Sequence, residues 1–201
     1  MPIWTRLILA VWMLWGLLWL AAWFWAERTV ARPRRRIEAP YRIVNILGFV
    51  GIFGDGVMRW GDGGAIWQPF LSPLWQLPPS AGWAMVALAA AGLALGVSAR
   101  LTLGRLWSAA VTRKEGHRVV DIGPYALMRH PIYTALILGA LALAGAKATP
   151  LALLGCAAMI VGYSMKARVE ERFLAAELGE AAYAAYRRRV PMLVPFARAS
   201  R

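Results

Sequence analysis

Apolar runs broken by glycine, proline and clustered arginine organise the whole chain. Leu7 to Ala26 carries no charge over 20 residues, and at about 1.5 Å per residue that crosses a hydrocarbon core of about 30 Å. A cleaved leader has a basic start, a shorter apolar core and a small-residue cleavage site. This run is long, rich in tryptophan and followed by its basic cluster, so it predicts a retained helix. Ala81–Ala99, Ile132–Ala146 and Ala148–Met165 are further spans, and Lys147 and Pro150 divide the last two. Ala148-Thr149-Pro150 predicts the tip of a tight helical hairpin. The weakest span is Ile43–Met58, which holds four glycines and Asp55 between Arg42 and Arg59. It reads as a fifth crossing, with a re-entrant or interfacial piece as the alternative. Gly61–Pro79 is a connection rich in Gly, Pro and Trp, and Trp60, Trp67 and Trp75 suit the membrane interface. The pattern predicts an all-α polytopic integral membrane protein of about five transmembrane helices. Residues 1–201 form one membrane domain: N-terminal helices over 1–99, then a region over 100–201 with a helical hairpin and a cytoplasmic amphipathic helix.

Composition sharpens this. The chain is 60% apolar and only 16% charged, with a mean hydropathy of +0.51. Soluble domains have about 45–50% apolar and about 25% charged residues. Too few polar side chains remain to clothe a water-soluble globule, and too many apolar ones for disorder. The net charge of +13 fits either a nucleic-acid partner or a membrane orientation. Residues 27–42 carry six Arg, residues 100–130 five Arg and Lys114, and residues 166–201 seven Arg and Lys166. In a five-helix topology these regions share one side and hold 20 of the 23 basic residues, leaving Arg6, Arg59 and Lys147 for the other. Basic loops stay cytoplasmic, so the N-terminus lies outside and the C-terminus inside. Without the 43–58 crossing, residues 27–42 and 100–130 fall on opposite sides. The charges follow topology, so no nucleic-acid partner is expected. Arg34-Arg35-Arg36 and Arg187-Arg188-Arg189 are placed to meet lipid phosphates. Usage of Ala, Arg, Gly and Trp points to a GC-rich bacterial genome, hence a bacterial inner membrane. Cys156 is alone, and His117 and His130 form no HExxH, so no metal is expected.

The longest cytoplasmic connection runs from Arg100 to Arg129. Gly123-Pro124 marks a turn, and Pro131 suits the first turn of the next helix. Arg129 and His130 therefore sit at the mouth of the hairpin, with Tyr125 and Tyr133 close by. Equal rise on both arms returns the chain to that level near Arg168, Glu170 and Glu171. Ionisable groups gathered at a bilayer boundary form a candidate site; the alternative is helix-end charges that anchor the hairpin.

His117, Gly123-Pro124-Tyr125, Arg129-His130-Pro131 and Tyr133, followed by Glu170-Glu171, Leu174, Leu178-Gly179, Tyr183, Tyr186, Val190-Pro191 and Pro195, resemble the C-terminal region of the isoprenylcysteine carboxyl methyltransferase family. The likeness runs over residues 115–196. Membrane phospholipid N-methyltransferases and some thiol methyltransferases share the Arg-His-Pro-x-Tyr and Glu-Glu elements. The resemblance implies an S-adenosylmethionine-dependent methyltransferase whose cofactor sits in a cytoplasmic pocket and whose lipid-like or prenylated acceptor arrives from the bilayer. It assigns His117, Gly123, Pro124, Tyr125, Arg129, His130, Tyr133 and Glu170 to the cofactor. Arg168 and Glu171 are the candidates for orienting the acceptor. Three positions depart from the family pattern. Ala135 stands where glycine is usual, Asp121-Ile122 replaces a small pair, and Lys166 stands where Arg is common. Arg and Lys differ in bidentate carboxylate binding, so either Lys166 or Arg168 is the cation that meets the acceptor.

Trp12, Trp15, Trp19 and Trp23 form one stripe, read as packing or lipid contact ahead of a substrate-facing role. Gly92 and Gly96 make a GxxxG, read as a contact within the chain ahead of a dimer, which leaves a monomer or weak dimer. Residues 170–186 are helix-compatible, with Leu174, Leu178, Ala182 and Tyr186 on one face and Gly179 a weak point. They are expected along the membrane surface over the cofactor, or as a plain anchor. The rival readings are a membrane reductase using NADPH and a non-catalytic scaffold or small transporter.

Overall fold

Proline opens three of the long helices, where its fixed φ suits the first turn and its missing N–H costs nothing. The computed structural model describes residues 1–24, 28–58, 64–108, 110–114 and 119–197. In chain order these form α1 (Ile3–Trp23), β1 (Thr29–Ala31), α2 (Arg35–Phe53), α3 (Asp55–Met58), α4 (Gly64–Leu71), α5 (Pro79–Leu103), β2 (Arg113–Lys114), α6 (Pro124–Leu127), α7 (Pro131–Lys147), α8 (Pro150–Leu178) and α9 (Glu180–Arg189). Ile3–Ala22, Pro79–Leu106 and Pro150–Glu177 are long and apolar enough to cross a membrane, and Pro131–Lys147 is a shorter apolar helix.

Helix α7 ends on Ala148, held in the left-handed region at φ 56. The Thr149 hydroxyl then caps α8 by accepting from the Ala152 N–H at 3.2 Å. That two-residue connection sends α8 back alongside α7. Small residues set the distances between helices. A Cβ on Gly155 of α8 would lie 2.7 Å from the Gly48 carbonyl oxygen and the Ile52 nitrogen of α2, so the two backbones touch. Gly92 and Gly96 pack within the chain: a Cβ on Gly92 would sit 3.0 Å from the Ala135 oxygen, and one on Gly96 would sit 2.8 Å from the Trp15 ring.

Two elements differ from the hydropathy reading. The segment read as Ile43–Met58 is a helix that begins at Arg35, runs through Pro40 and ends at Phe53, capped by Gly54, with α3 following separately. Its charged first half is helical because Glu38 accepts from Tyr41 at 2.7 Å and from Arg42 at 2.9 Å across one turn. Helix α8 continues past Met165 to Leu178, since the charged stretch that follows consists of good helix formers. The stretch 170–186 is consequently not one amphipathic helix. Gly179, at φ 100, breaks it, and α9 folds back so that Tyr183, Tyr186 and Val190 bury against Leu174.

Gly155→Ala is expected to lower stability by about 1–3 kcal/mol, because the neighbouring atoms are backbone and cannot yield. Gly16→Ala, with nothing within 4 Å of the added carbon, should leave stability unchanged or slightly raised. Thermal unfolding of the detergent-solubilised protein checks both.

Candidate active site

The start of α7 is clasped by the end of the chain. The Arg129 N–H donates to the Pro191 carbonyl at 2.8 Å and the His130 N–H to the Met192 carbonyl at 3.1 Å. The Thr134 hydroxyl reaches the Leu193 carbonyl at 2.6 Å. The buried Arg129 guanidinium donates to Glu171 Oε1 at 2.7 Å, to the Arg187 carbonyl at 3.1 Å and to the Val190 carbonyl. His130 Nε2 lies 3.1 Å from the same Glu171 oxygen, and Arg187 Nε lies 3.5 Å from the other. Glu171 is thus enclosed by three basic side chains.

Glu170, one residue earlier, is turned about 100° around the helix and accepts from the Tyr133 hydroxyl. The His130 ring stacks on Tyr133 with centroids 5.2 Å apart and planes 4° apart. Tyr163 stacks on Tyr133 at 5.3 Å, and Lys166 Nζ lies 4.8 Å from the Tyr133 ring centroid. Two cavities meet here. One is the more polar, and its lining includes Tyr125, Arg129, His130, Tyr133, Glu170, Tyr183 and Tyr186. The other is apolar, about 630 Å³, and is walled by Trp12, Trp15, Trp19, Phe49, Phe53, Tyr163 and Lys166. Trp107, Ser108, Ile132 and Tyr133 line both.

Gly123, at φ 56, starts α6 and Pro124 fixes its first turn, which delivers Tyr125 to the polar cavity. The Tyr186 hydroxyl donates to the Tyr125 carbonyl at 2.8 Å and ties α9 over it. Burial pushes the Tyr125, Tyr183 and Tyr186 phenols above their ordinary range, so all three are neutral donors at physiological pH.

Tyr125, Arg129, His130, Tyr133 and Glu170 therefore come together, positioned in part by Gly123 and Pro124. Glu171 lies behind the polar cavity, with Arg129 and His130 on Oε1 and Arg187 beside Oε2. Arg168 does not join them: it is exposed and lines neither cavity. The axial rise places it at the right level, but rotation decides, and Tyr163, Lys166 and Glu170 at i, i+3 and i+7 share the inward stripe. His117 lies outside the described residues. Trp12, Trp15 and Trp19 of the stripe pack inward as well as lining the apolar cavity, with Trp12 stacked on Trp15 at 5.4 Å and edge-on to Phe53 at 5.3 Å. Trp107, Tyr163 and Lys166 complete the site. Their signal was the helical spacing to Glu170 and, for Trp107, a tryptophan just beyond the last apolar turn of α5. Among the described residues no three His, Cys, Asp or Glu side chains gather as metal ligands.

Residues 85–176 match the model of the isoprenylcysteine carboxyl methyltransferase (ICMT) family. It is 39% identical over 116 residues to the cobalt-zinc-cadmium resistance protein CzcN of Cupriavidus metallidurans, covering 56% of this chain and 51% of that protein. It is 32% identical over 115 residues to the nickel-cobalt-cadmium resistance protein NccN of Alcaligenes xylosoxydans xylosoxydans, covering 56% of this chain and 52% of that one. The matched region spans about half the length of these curated relatives. The fold is similar to that of the eukaryotic intramembrane Ras methyltransferase ICMT, with a TM-score of 0.50 and 20% identity over 78% of this chain and 52% of the other.

Arg129→Ala should cost about 3–5 kcal/mol, because it strands the buried Glu171 carboxylate. Glu170→Gln, which keeps an acceptor for Tyr133, should stay within about 1 kcal/mol. Chemical denaturation in mixed micelles separates the two carboxylates by this difference.

Proposed function

We propose that this protein is a membrane methyltransferase that uses S-adenosylmethionine and methylates a lipid-like acceptor at the cytoplasmic interface. The observation that carries this reading is the meeting of a polar and an apolar cavity at Tyr133. A water-soluble cofactor and a hydrocarbon-bearing acceptor need two such compartments with one shared wall.

The donor set fits the cofactor. Glu170 is the carboxylate that faces the polar cavity and suits an ammonium group; Tyr125, Tyr183 and Tyr186 offer hydroxyls, and Trp107 offers an aromatic wall. When bound, the cofactor supplies an electrophilic methyl group on a sulfonium. The chain's own task is alignment, since proximity and orientation account for much of the barrier lowering in a displacement of this kind. Tyr133 is held by its bond to Glu170 and by stacking against His130 and Tyr163, so the wall between donor and acceptor is fixed in place. Arg129 and Glu171, read from the sequence as ligand-binding groups, satisfy one another and act through position. The acceptor-orienting role falls to Lys166, the cation on the apolar cavity, in place of Arg168. A cation there favours an acceptor with an anionic head, a carboxylate or thiolate, over a phospholipid amine.

We infer five crossings, with α2 and α7 spanning beside the three longer helices. The pairing of β1 with β2, Thr29 opposite Lys114, supports this, because it holds the loops before α2 and after α5 on one side. The Arg100 guanidinium, bonded to the Ala22 carbonyl at 2.8 Å, joins the same ends of α1 and α5. That side carries most of the basic residues and is assigned to the cytoplasm of a bacterial inner membrane, with the N-terminus outside.

Calorimetry with S-adenosylhomocysteine tests the cofactor assignment. Affinity should fall at least tenfold in Glu170→Ala and His130→Ala, with folding retained in Glu170→Ala; an unchanged affinity in both sinks it. Transfer of labelled methyl to lipid extract and to model prenylcysteines identifies the acceptor. Lys166→Met should raise the acceptor KM at least tenfold and leave cofactor affinity within twofold.

A further inference from the structure

A third cavity, of about 780 Å³, lies at the other end of the helices from Glu170. The start of α1, the end of α7, the start of α8 and the segment before α5 enclose it. Its polar floor is the pair Lys147–Asp55: Lys147 Nζ donates to Asp55 Oδ1 at 2.6 Å and to the Ile52 carbonyl at 2.7 Å. The Lys147 side chain is 6% exposed and that of Asp55 20%, so both charges are largely removed from water. Trp4 and Trp75 contribute aromatic walls. Trp4 is packed onto Gly82, and the Leu74 N–H holds the wall beside Trp75 by donating to the Ala148 carbonyl at 2.8 Å. Thr5 also lines the cavity, and its buried hydroxyl has no hydrogen-bond partner among the described residues.

The hydrogen-bonding capacity left over is specific. An ammonium has three donors, and two of those on Lys147 are used. Asp55 keeps a second oxygen, and an unpaired buried hydroxyl is costly until something bonds it. A ligand that is only anionic would face Asp55, and one that is only cationic would face Lys147. A ligand carrying both charges meets each with its opposite. Tryptophans flanking the end of apolar helices mark the depth of lipid headgroups.

We propose that this cavity binds a zwitterionic phospholipid headgroup, ethanolamine phosphate, from the leaflet opposite the polar cavity. The phosphate bonds Lys147 and Thr5; the ammonium bonds Asp55 between the faces of Trp4 and Trp75. The site is separate from the methyl-transfer assignment, and its test reads lipid retention alone.

Native mass spectrometry of the full chain in dodecyl maltoside, with equimolar palmitoyl-oleoyl phosphatidylethanolamine and phosphatidylglycerol, provides the test. One phosphatidylethanolamine per chain should be retained, with at least a fivefold preference. The double substitution Asp55→Asn with Lys147→Met, which leaves no lone buried charge, should reduce that preference to within twofold. Thr5→Val, nearly the same shape, should do likewise and, by removing an unpaired hydroxyl, should fold normally as judged by gel filtration and melting. Equal retention of the two lipids, or a preference that survives both substitutions, overturns the proposal. Soluble O-phosphoethanolamine should bind at least tenfold more weakly than the lipid; tighter binding would make the occupant a free solute and overturn the lipid assignment.

Discussion

The buried carboxylate of Glu171 is the constraint on which the candidate site depends. It draws Arg129 and His130 from the mouth of α7 onto α8, and Arg129 Nη1 donates to the Arg187 and Val190 carbonyls. One side chain thereby joins three segments far apart in sequence. A buried ion pair of this kind gives little net stability over an apolar substitute, because desolvation offsets the attraction. Its value lies in geometry: remove one partner and the remaining charge has no water to turn to.

With that junction fixed, the adjacent residue is free for other work. Glu170 and Glu171 are neighbours in sequence yet face different ways, one toward the polar cavity and one toward the packed junction. Tyr133 inherits its precision from both, since His130 presses on one face of its ring and Glu170 holds its hydroxyl. In the wall shared by the two cavities, Tyr133 is therefore both stacked and hydrogen-bonded.

Much of this could be read from the sequence, and the rest was hidden for identifiable reasons. Apolar length located α1, α5, α7 and the first half of α8, because the bilayer imposes its thickness on composition. It mislocated the ends of α2 and α8, since a helix continues wherever its hydrogen bonds do, whatever the polarity of its side chains. Counting rise along the hairpin brought Glu170 and Glu171 level with His130, which is the contact the structure makes. Counting rise without rotation also put forward Arg168, which faces outward, and left Lys166 as a doubt. The small-residue contacts of Gly48, Gly51 and Gly155 were legible only as glycines, because nothing local says which helix a gap will admit.

The grip on the start of α7 is made of main-chain groups: the carbonyls of Arg187, Val190, Pro191, Met192 and Leu193 do the holding. Main-chain groups are the same whatever the residue. Side chains along this strap are therefore free to diverge between related proteins, as far as their own contacts allow, while the number of residues separating Glu171 from Pro191 is not. An insertion of one residue within these helical turns would advance each carbonyl by about 1.5 Å and turn it by about 100°, more than a hydrogen bond tolerates. Over evolutionary time this segment should accumulate substitutions and resist changes of length.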